Sequence, residues 1–190
     1  MAILPIDSGR YGTKEMLEVF GEQKKIDYQL EIEAAAALSQ SEINLIPKSI
    51  AKDIAKAARS GKITAKRIKQ LEAKSDHDTA ALVESLAERC KKESRPWIHY
   101  GLTSNDLVDT SNSMQMRDAL RIIQPKVGKL ATVLAKNATK YKVLPAVGRT
   151  HGQHASIISF GLKFANWAAE MSTHLERLDE IKKRILICKT

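Results

Sequence analysis

Between Lys14 and Leu38 the apolar positions Met16, Phe20, Leu30, Ala34, Ala37 and Leu38 mostly recur three or four residues apart, with a break near Gly21 to Lys24. That spacing lines one face of a helix, so the stretch predicts two consecutive helices. Pro47 and Ser49 mark a stop and a new start, and the spacing predicts a short amphipathic helix over 49–60, closed by Gly61. Thr64 then caps another, running to about Lys74. Ser75-Asp76-His77-Asp78 has the S-x-x-D form of a capping box, which predicts a helix from about His77 until Arg95-Pro96 breaks it. Trp97 to Tyr100 reads as a short extended or buried connector, and Gly101 as a domain boundary.

Thr103-Ser104-Asn105-Asp106 offers several N-caps for a helix through Ile123. Pro125 opens the next, with Val127, Leu130, Val133, Leu134 and Tyr141 on one face, and Pro145 ends that region. From Ala155 onward no proline occurs, and Phe160, Phe164, Trp167, Met171, Leu175, Leu178, Ile181 and Ile185 keep a three-four spacing. One helix of about 30 residues, ~45 Å long, is expected there. Its unbroken apolar seam outreaches a small domain and predicts packing in a multi-helix bundle that includes other subunits. No β-alternating run with a hairpin turn is evident. The fold class expected is all-α, with a small helical amino-terminal domain over 1–100 and the start of a long-helix bundle domain over 101–190.

Composition sharpens this picture. In 190 residues, 43% are apolar and only 5% aromatic, which suits long helices packed through aliphatic side chains. The formal charge of +9 admits nucleic acid, acidic membrane surfaces or small anions as partners. Much of the excess lies between Lys48 and Lys74 without interleaved aromatics for base stacking, so a solvated helix face is expected and no nucleic-acid role. No basic start followed by an apolar run, and no stretch near the ~18 apolar residues of a span, is found, so no membrane role is expected. Cys90 and Cys188 are far apart and read as incidental reduced thiols of a cytoplasmic protein.

Three polar clusters fall at junctions between segments, where rigid neighbours hold side chains and backbone N–H groups are free. Ser75 to Asp78 and Thr103 to Asp106 open helices, whose free N–H groups favour phosphate or carboxylate, although capping alone also accounts for both. Gly148-Arg149-Thr150-His151-Gly152-Gln153-His154 sets two imidazoles beside glycines that admit a ligand closely. His151 and His154 could hold a metal at i, i+3 on a helix, but only His77, His99 and His174 remain as further histidine ligands, so no metal is expected. Arg10-Tyr11, after a turn at Ser8-Gly9, could clamp a phosphate with a fork of donors and a hydroxyl, but alone is a common dipeptide.

As an ordered set these fragments resemble the adenylosuccinate lyases of the fumarase and aspartase superfamily over nearly the whole chain. The carriers are Arg10-Tyr11, His77-Asp78 within Ser75 to Ala80, the stretch from Trp97 to Thr110, and Gly148 to Ala155. Argininosuccinate lyases and fumarases differ around Thr103-Ser104, while carboxymuconate cycloisomerases share a T-S-x-D block but usually lack the T-H-G-x-H form. The cycloisomerases are the close alternative; a non-catalytic helical module that oligomerises or binds nucleotides is another. The resemblance implies elimination of fumarate from adenylosuccinate and from succinyl-carboxamide ribotide in purine synthesis. It implies His151 as general acid toward the leaving nitrogen, a task suited to an imidazole with an ordinary pKa of ~6.5. It also implies that Arg10 and Tyr11 hold the nucleotide phosphate, that Thr103 and Ser104 bond a succinyl carboxylate, and that Asp76, His77 and Asp78 orient the substrate, His77 assisting the acid. No cofactor is implied, and sites are expected to be shared among subunits of a homotetramer. The family's serine loop, roughly S-S-x-M-P-x-K-x-N, has no counterpart among these residues, so the base is expected elsewhere and this stretch alone is expected to be inactive.

Overall fold

The computed structural model describes residues 10–189; the Ser8-Gly9 turn expected ahead of Arg10 lies outside them. Thr13 caps the first helix, α1 (Lys14–Val19), by accepting from the Met16 N–H, and Gly21 separates it from α2 (Glu22–Glu42). The two helices expected over this stretch are present. Helix α3 (Lys48–Ala58) starts after Pro47, and Gly61 follows it in a left-handed conformation at φ 68°. Thr64 caps α4 (Ala65–Ser75) through the Arg67 N–H, as its place before the apolar positions implies.

Beyond α4 several expectations give way. Ser75 does not cap α5 (Asp78–Ala87): its hydroxyl donates to the Leu71 and Ser75-flanking His77 carbonyls, and the His77 ring is the cap. Asp76 ends α4 in a left-handed conformation at φ 50°, which uses up the residue that the S-x-x-D spacing needs as an ordinary link. Helix α5 also stops at Ala87, ahead of Arg95-Pro96, and a 3₁₀ helix over Lys92–Trp97 carries the proline. A third difference is α6 (Ser104–Lys140), which runs through Pro125 without interruption. Its 37 residues span about 55 Å at 1.5 Å per residue. The apolar positions Leu120, Val127, Leu130 and Leu134 keep one helical phase across the proline, whereas two separate helices need share none. That continuity was the readable sign, and it outweighs the one hydrogen bond lost at the proline.

The chain divides inside α6 into two units, one reaching to Asp118 and regaining the chain at Leu186, the other Ala119–Ile185. In the first unit the core is aliphatic: Leu30, Ala34 and Ala37 of α2 meet Ala51, Ile54 and Ala58 of α3, with Ile68, Leu71, Leu82, Leu86, Ile98 and Leu107 completing it. Alanines at the contact let backbones approach closely. The start of α6 belongs to this unit and is tied to the earlier helices by polar bonds. Gln115 donates to the Val19 carbonyl at 2.9 Å, and the buried Tyr28 hydroxyl donates to Asp118, burial first and then that carboxylate pushing the phenol up to about 12.

The second unit contains the only two strands among the described residues, β1 (Pro145–Thr150) and β2 (Gln153–Ser159), paired antiparallel. A helix was expected from Ala155; instead α7 (Phe160–Ile185) begins only after β2. The strands are mostly exposed, so no buried alternating face marked them in the sequence. Helix α7 runs antiparallel to the end of α6, as Gln124 donates to Asp179 at 2.7 Å while Tyr141 stacks on Phe164 at 5.8 Å. Gly161 lets the two meet, since a Cβ there would lie 2.5 Å from the Ala138 carbonyl oxygen. Gly161→Ala is therefore expected to destabilise this unit by about 1–3 kcal/mol, read as a lowered urea midpoint at unchanged slope.

Within this unit only Ala119, Leu120 and Gly161 are buried, and Leu130, Val133, Leu162, Trp167 and Ile181 are exposed. The apolar seams of both long helices are present but have almost no interior of their own to fill. No helix among the described residues is long and apolar enough to cross a membrane.

Candidate functional site

Three of the four stretches that carry chemistry in the sequence lie in the first unit. Arg10 and Tyr11 precede α1; the guanidinium carbon sits 5.5 Å from the Tyr11 ring centre, and the ring is 70% exposed. The pair is preassembled by cation–π attraction, with the donors of the guanidinium open to solvent.

At the start of α5 the His77 Nδ1 accepts from the Ala80 N–H at 3.3 Å. A neutral ring accepting there carries its proton on Nε2, which leaves that nitrogen as a donor. The same Nδ1 lies 3.6 Å from Asp78 Oδ1, too long for a hydrogen bond, so the cap sets the tautomer. Asp78 accepts from the Thr79 N–H at 2.6 Å, a carboxylate placed favourably in the first turn.

At the start of α6 one half of a capping box forms, the N3 carboxylate reaching back to the residue before the helix. Thr103 donates its N–H to Asp106 at 2.7 Å and its hydroxyl to the same oxygen at 3.2 Å, while the Asp106 N–H donates to the Thr103 carbonyl. With its proton given to the buried Asp106, the Thr103 hydroxyl faces an incoming anion with lone pairs only. The donors left open at this helix start are then the half-buried Ser104 hydroxyl and the N–H groups of Ser104 and Asn105.

The connector before this cap is held by two residues the sequence reading passed over. Glu33, 2% exposed on α2, accepts the His99 N–H at 3.0 Å and faces the His99 Nδ1 at 2.6 Å. One turn pair further along α2, Gln40 donates to the Tyr100 carbonyl at 2.7 Å. The readable sign was Glu33 itself, a carboxylate set among Leu30, Ala34 and Ala37 on the apolar face of α2. The hydrogen bond to Glu33 raises the His99 pKa above its ordinary ~6.5, against the opposing effect of burial. A raised value in the folded state adds stability that is fully present below ~6.5 and is lost as pH climbs through the raised value. Urea unfolding across pH 6 to 9 is expected to show that loss, and Glu33→Gln to remove most of it.

His151 stands in the second unit, in the two-residue turn between β1 and β2. His151 and Gly152 have φ values of 50° and 73°, both left-handed, which is the type I′ geometry that matches strand twist. His-Gly thus occupies the place that Asn-Gly usually marks. The ring is exposed and has no hydrogen-bond partner among the described residues. Gly148 is needed at the bulge between Val147 and Arg149, since a Cβ would lie 2.9 Å from the Ser156 carbonyl oxygen. His154 lies on β2 opposite Arg149, not on a helix, so the i, i+3 helical pairing considered for the two histidines does not exist.

No hydrogen bond, ion pair or ring contact among the described residues joins the Arg10-Tyr11 pair, the segment Asp76 to Asp78 and the Thr103-Ser104 pair to one another. A cavity of about 400 Å³ does border the start of α6, lined by Ile32, Ala36, Leu102, Asp106, Thr110 and Cys188. Its walls are mainly apolar, which suits no phosphate or dicarboxylate. Cys90 is buried, and that burial pushes its thiol up to about 11, so it is not a nucleophile at neutral pH.

Residues 9–190 match the protein family described as lyase. The chain is 45% identical over 187 residues to the adenylosuccinate lyase of Methanocaldococcus jannaschii, covering 98% of this chain and 40% of that protein. Four further archaeal proteins of the same name are 38–40% identical. The chain therefore spans about two fifths of the length of the curated relatives it matches. Among solved structures it is similar to a fumarate lyase from Mesorhizobium sp. BNC1, with a TM-score of 0.87 at 32% identity over 94% of this chain and 43% of that one. It is also similar to the β-carboxy-cis,cis-muconate cycloisomerase of Acinetobacter calcoaceticus sp. ADP1, with a TM-score of 0.87 at 29% identity over 93% of this chain and 42% of that one.

Proposed function

We propose, the chain belonging to the lyase family across residues 9–190, that it supplies the amino-terminal part of an adenylosuccinate lyase. The observation that carries this reading is the 45% identity to a relative of that name across 98% of the chain. In the reaction, a base outside these residues takes the proton from the carbon beside a succinyl carboxylate. The C–N bond then breaks, its electron pair leaves with the nitrogen, and the new C=C bond completes fumarate. His151 delivers a proton to the departing nitrogen. Exposure without a competing partner suits that task, because the ring is free to meet a substrate.

Ser104 and the first N–H groups of α6 would receive the carboxylate on which negative charge grows, with Thr103 fixing the cap. Arg10 and Tyr11 would hold the phosphate. His77, presenting its Nε2–H, would orient the substrate with Asp76 and Asp78 and assist the acid. None of these roles needs a cofactor or metal. The exposed seams of α6 and α7 support a homo-oligomer, a tetramer in the full-length protein, whose other helices complete the bundle. Within the basic band, Arg67 is paired with Glu88 and Lys69 with Glu22 at 2.5 Å, which supports a solvated helix face rather than nucleic-acid binding. A cytoplasmic metabolic enzyme with small-helical (1–100) and long-helix (101–190) regions is the setting we assign.

The similarity to a muconate cycloisomerase favours one alternative. The full-length protein is expected to convert adenylosuccinate to AMP and fumarate, followed by the loss of adenylosuccinate absorbance. Lactone formation from a carboxymuconate, with adenylosuccinate untouched, would replace this reading by that one.

A further inference from the structure

Glu33 is a buried acid that the elimination does not use. It belongs to α2, yet its two oxygens are spent on a single residue 66 positions away. One accepts the His99 backbone N–H at 3.0 Å, and the other takes the His99 Nδ1 at 2.6 Å. A carboxylate can only accept, so Nδ1 is the donor and carries a proton; Nε2 is the free end of the ring. His99 itself is left-handed at φ 62°, two residues before Gly101 at φ 73°, and the Leu102 N–H closes a turn onto the His99 carbonyl at 3.2 Å. The tight turn ends at Thr103, whose N–H is fixed by Asp106. From α2 to the α6 cap the chain is thus held at His99 N, His99 Nδ1, the Tyr100 carbonyl and Thr103 N.

We infer that Glu33 is a positioning residue for the Thr103-Ser104 anion site, acting through His99: it holds the left-handed turn that places the α6 cap and fixes which ring nitrogen of His99 is presented outward. The inference rests on the reading of Ser104 and the first turn of α6 as the carboxylate site, with Thr103 as its cap. Glu33 touches no substrate in this arrangement. A misplacement of about 1 Å at a site that must meet a transition state costs on the order of 100-fold, so a residue of this kind is visible in kinetics although distant from the chemistry. The charged groups acting on the His99 ring are Glu33 and, more weakly, Asp106, which sits in the cap that the turn leads into.

Glu33→Gln in the full-length protein tests it, with two readouts. By nuclear magnetic resonance the His99 ring is expected to show a proton held at Nδ1 in the wild type, and its titration midpoint is expected to fall in the variant. In steady-state kinetics kcat/KM is expected to fall about 10- to 100-fold. The variant combined with His99→Asn is expected to be no worse than His99→Asn alone, because both act on one unit. Glu33→Asp, which keeps the charge and withdraws it by one methylene, is expected to recover part of the loss; it also serves with the same readouts should the glutamine variant fail to fold. An unmoved His99 midpoint, or losses that multiply in the double variant, would overturn the inference. A wild-type protein that leaves adenylosuccinate intact would instead bring down the functional reading, with the His99 midpoint still deciding whether Glu33 controls the ring.

Discussion

Replacing His151 in the full-length enzyme is expected to lower turnover by roughly 10²–10⁴, the usual contribution of a positioned proton donor, or about 2.7–5.4 kcal/mol of barrier. Glutamine removes the proton donor at similar size. Asparagine is the cleaner replacement, because position 151 is left-handed at φ 50° and asparagine accepts that backbone far more readily than most residues. A histidine packed at a helix start would leave a buried partner unpaired when replaced, costing about 1–3 kcal/mol of folding stability. His151 is exposed in a hairpin turn instead, so the melting temperature is expected to hold while kcat falls. His154 supplies the internal control. It shares the hairpin and its exposure but lies on β2 opposite Arg149, so its replacement is expected to spare turnover. Equal losses at both positions, with a lowered melting temperature, would remove the assignment of His151 as the acid.

That contrast also shows where the sequence was legible. Helices with a wet face and a dry face were plain: α3 and α4 follow from Ala51, Ile54, Ile68 and Leu71 recurring at three and four, and Thr64 caps α4 where the pattern puts it. The hairpin was not, for two physical reasons. Its strands bury almost nothing, so selection for a dry face left no alternation to read, and its turn is His-Gly, where the left-handed residue doubles as the candidate acid. The start of α5 was legible at about His77, but its cap was not. A histidine ring caps it in place of the serine that the S-x-x-D spacing suggested, so one side chain satisfies a helix end and keeps its other nitrogen open.

Glu33 illustrates a different limit. Periodicity places it on the apolar face of α2, but only the fold brings His99 to it across 66 positions, and a buried carboxylate needs its partner before it means anything. Likewise the Thr103 cap was legible as a cap, while the capture of its hydroxyl proton by Asp106 was not. That detail leaves the Ser104 hydroxyl and the first N–H groups of α6 as the open donors at this helix start. Thr103→Ala is thus a change to the cap more than to a substrate contact.

The 190-residue polypeptide by itself is expected to release no fumarate from adenylosuccinate. Elimination needs a base on one side of the C–N bond and an acid on the other, and these residues hold the proposed acid, His151, but no counterpart of the serine loop that the family resemblance supplies as base. Removing one member of such a pair does not halve the rate; members that act as a unit fail together. The second difficulty is geometric. The unit holding His151 buries only Ala119, Leu120 and Gly161, with Leu130, Leu162, Trp167 and Ile181 left in water. Without helices to cover those seams, the long pair α6 and α7 lacks the packing that would keep the turn within the ~0.5 Å tolerance of a working site. Binding is expected to outlast catalysis, since Arg10, Tyr11, Ser104 and the α6 amino end belong to the unit that has its own core. Calorimetry with AMP and a coupled assay for fumarate separate the two, heat of binding being expected without product. Fumarate produced by the purified polypeptide would mean that the base lies among these residues after all, with His77 at the start of α5 the first to be replaced in the search for it.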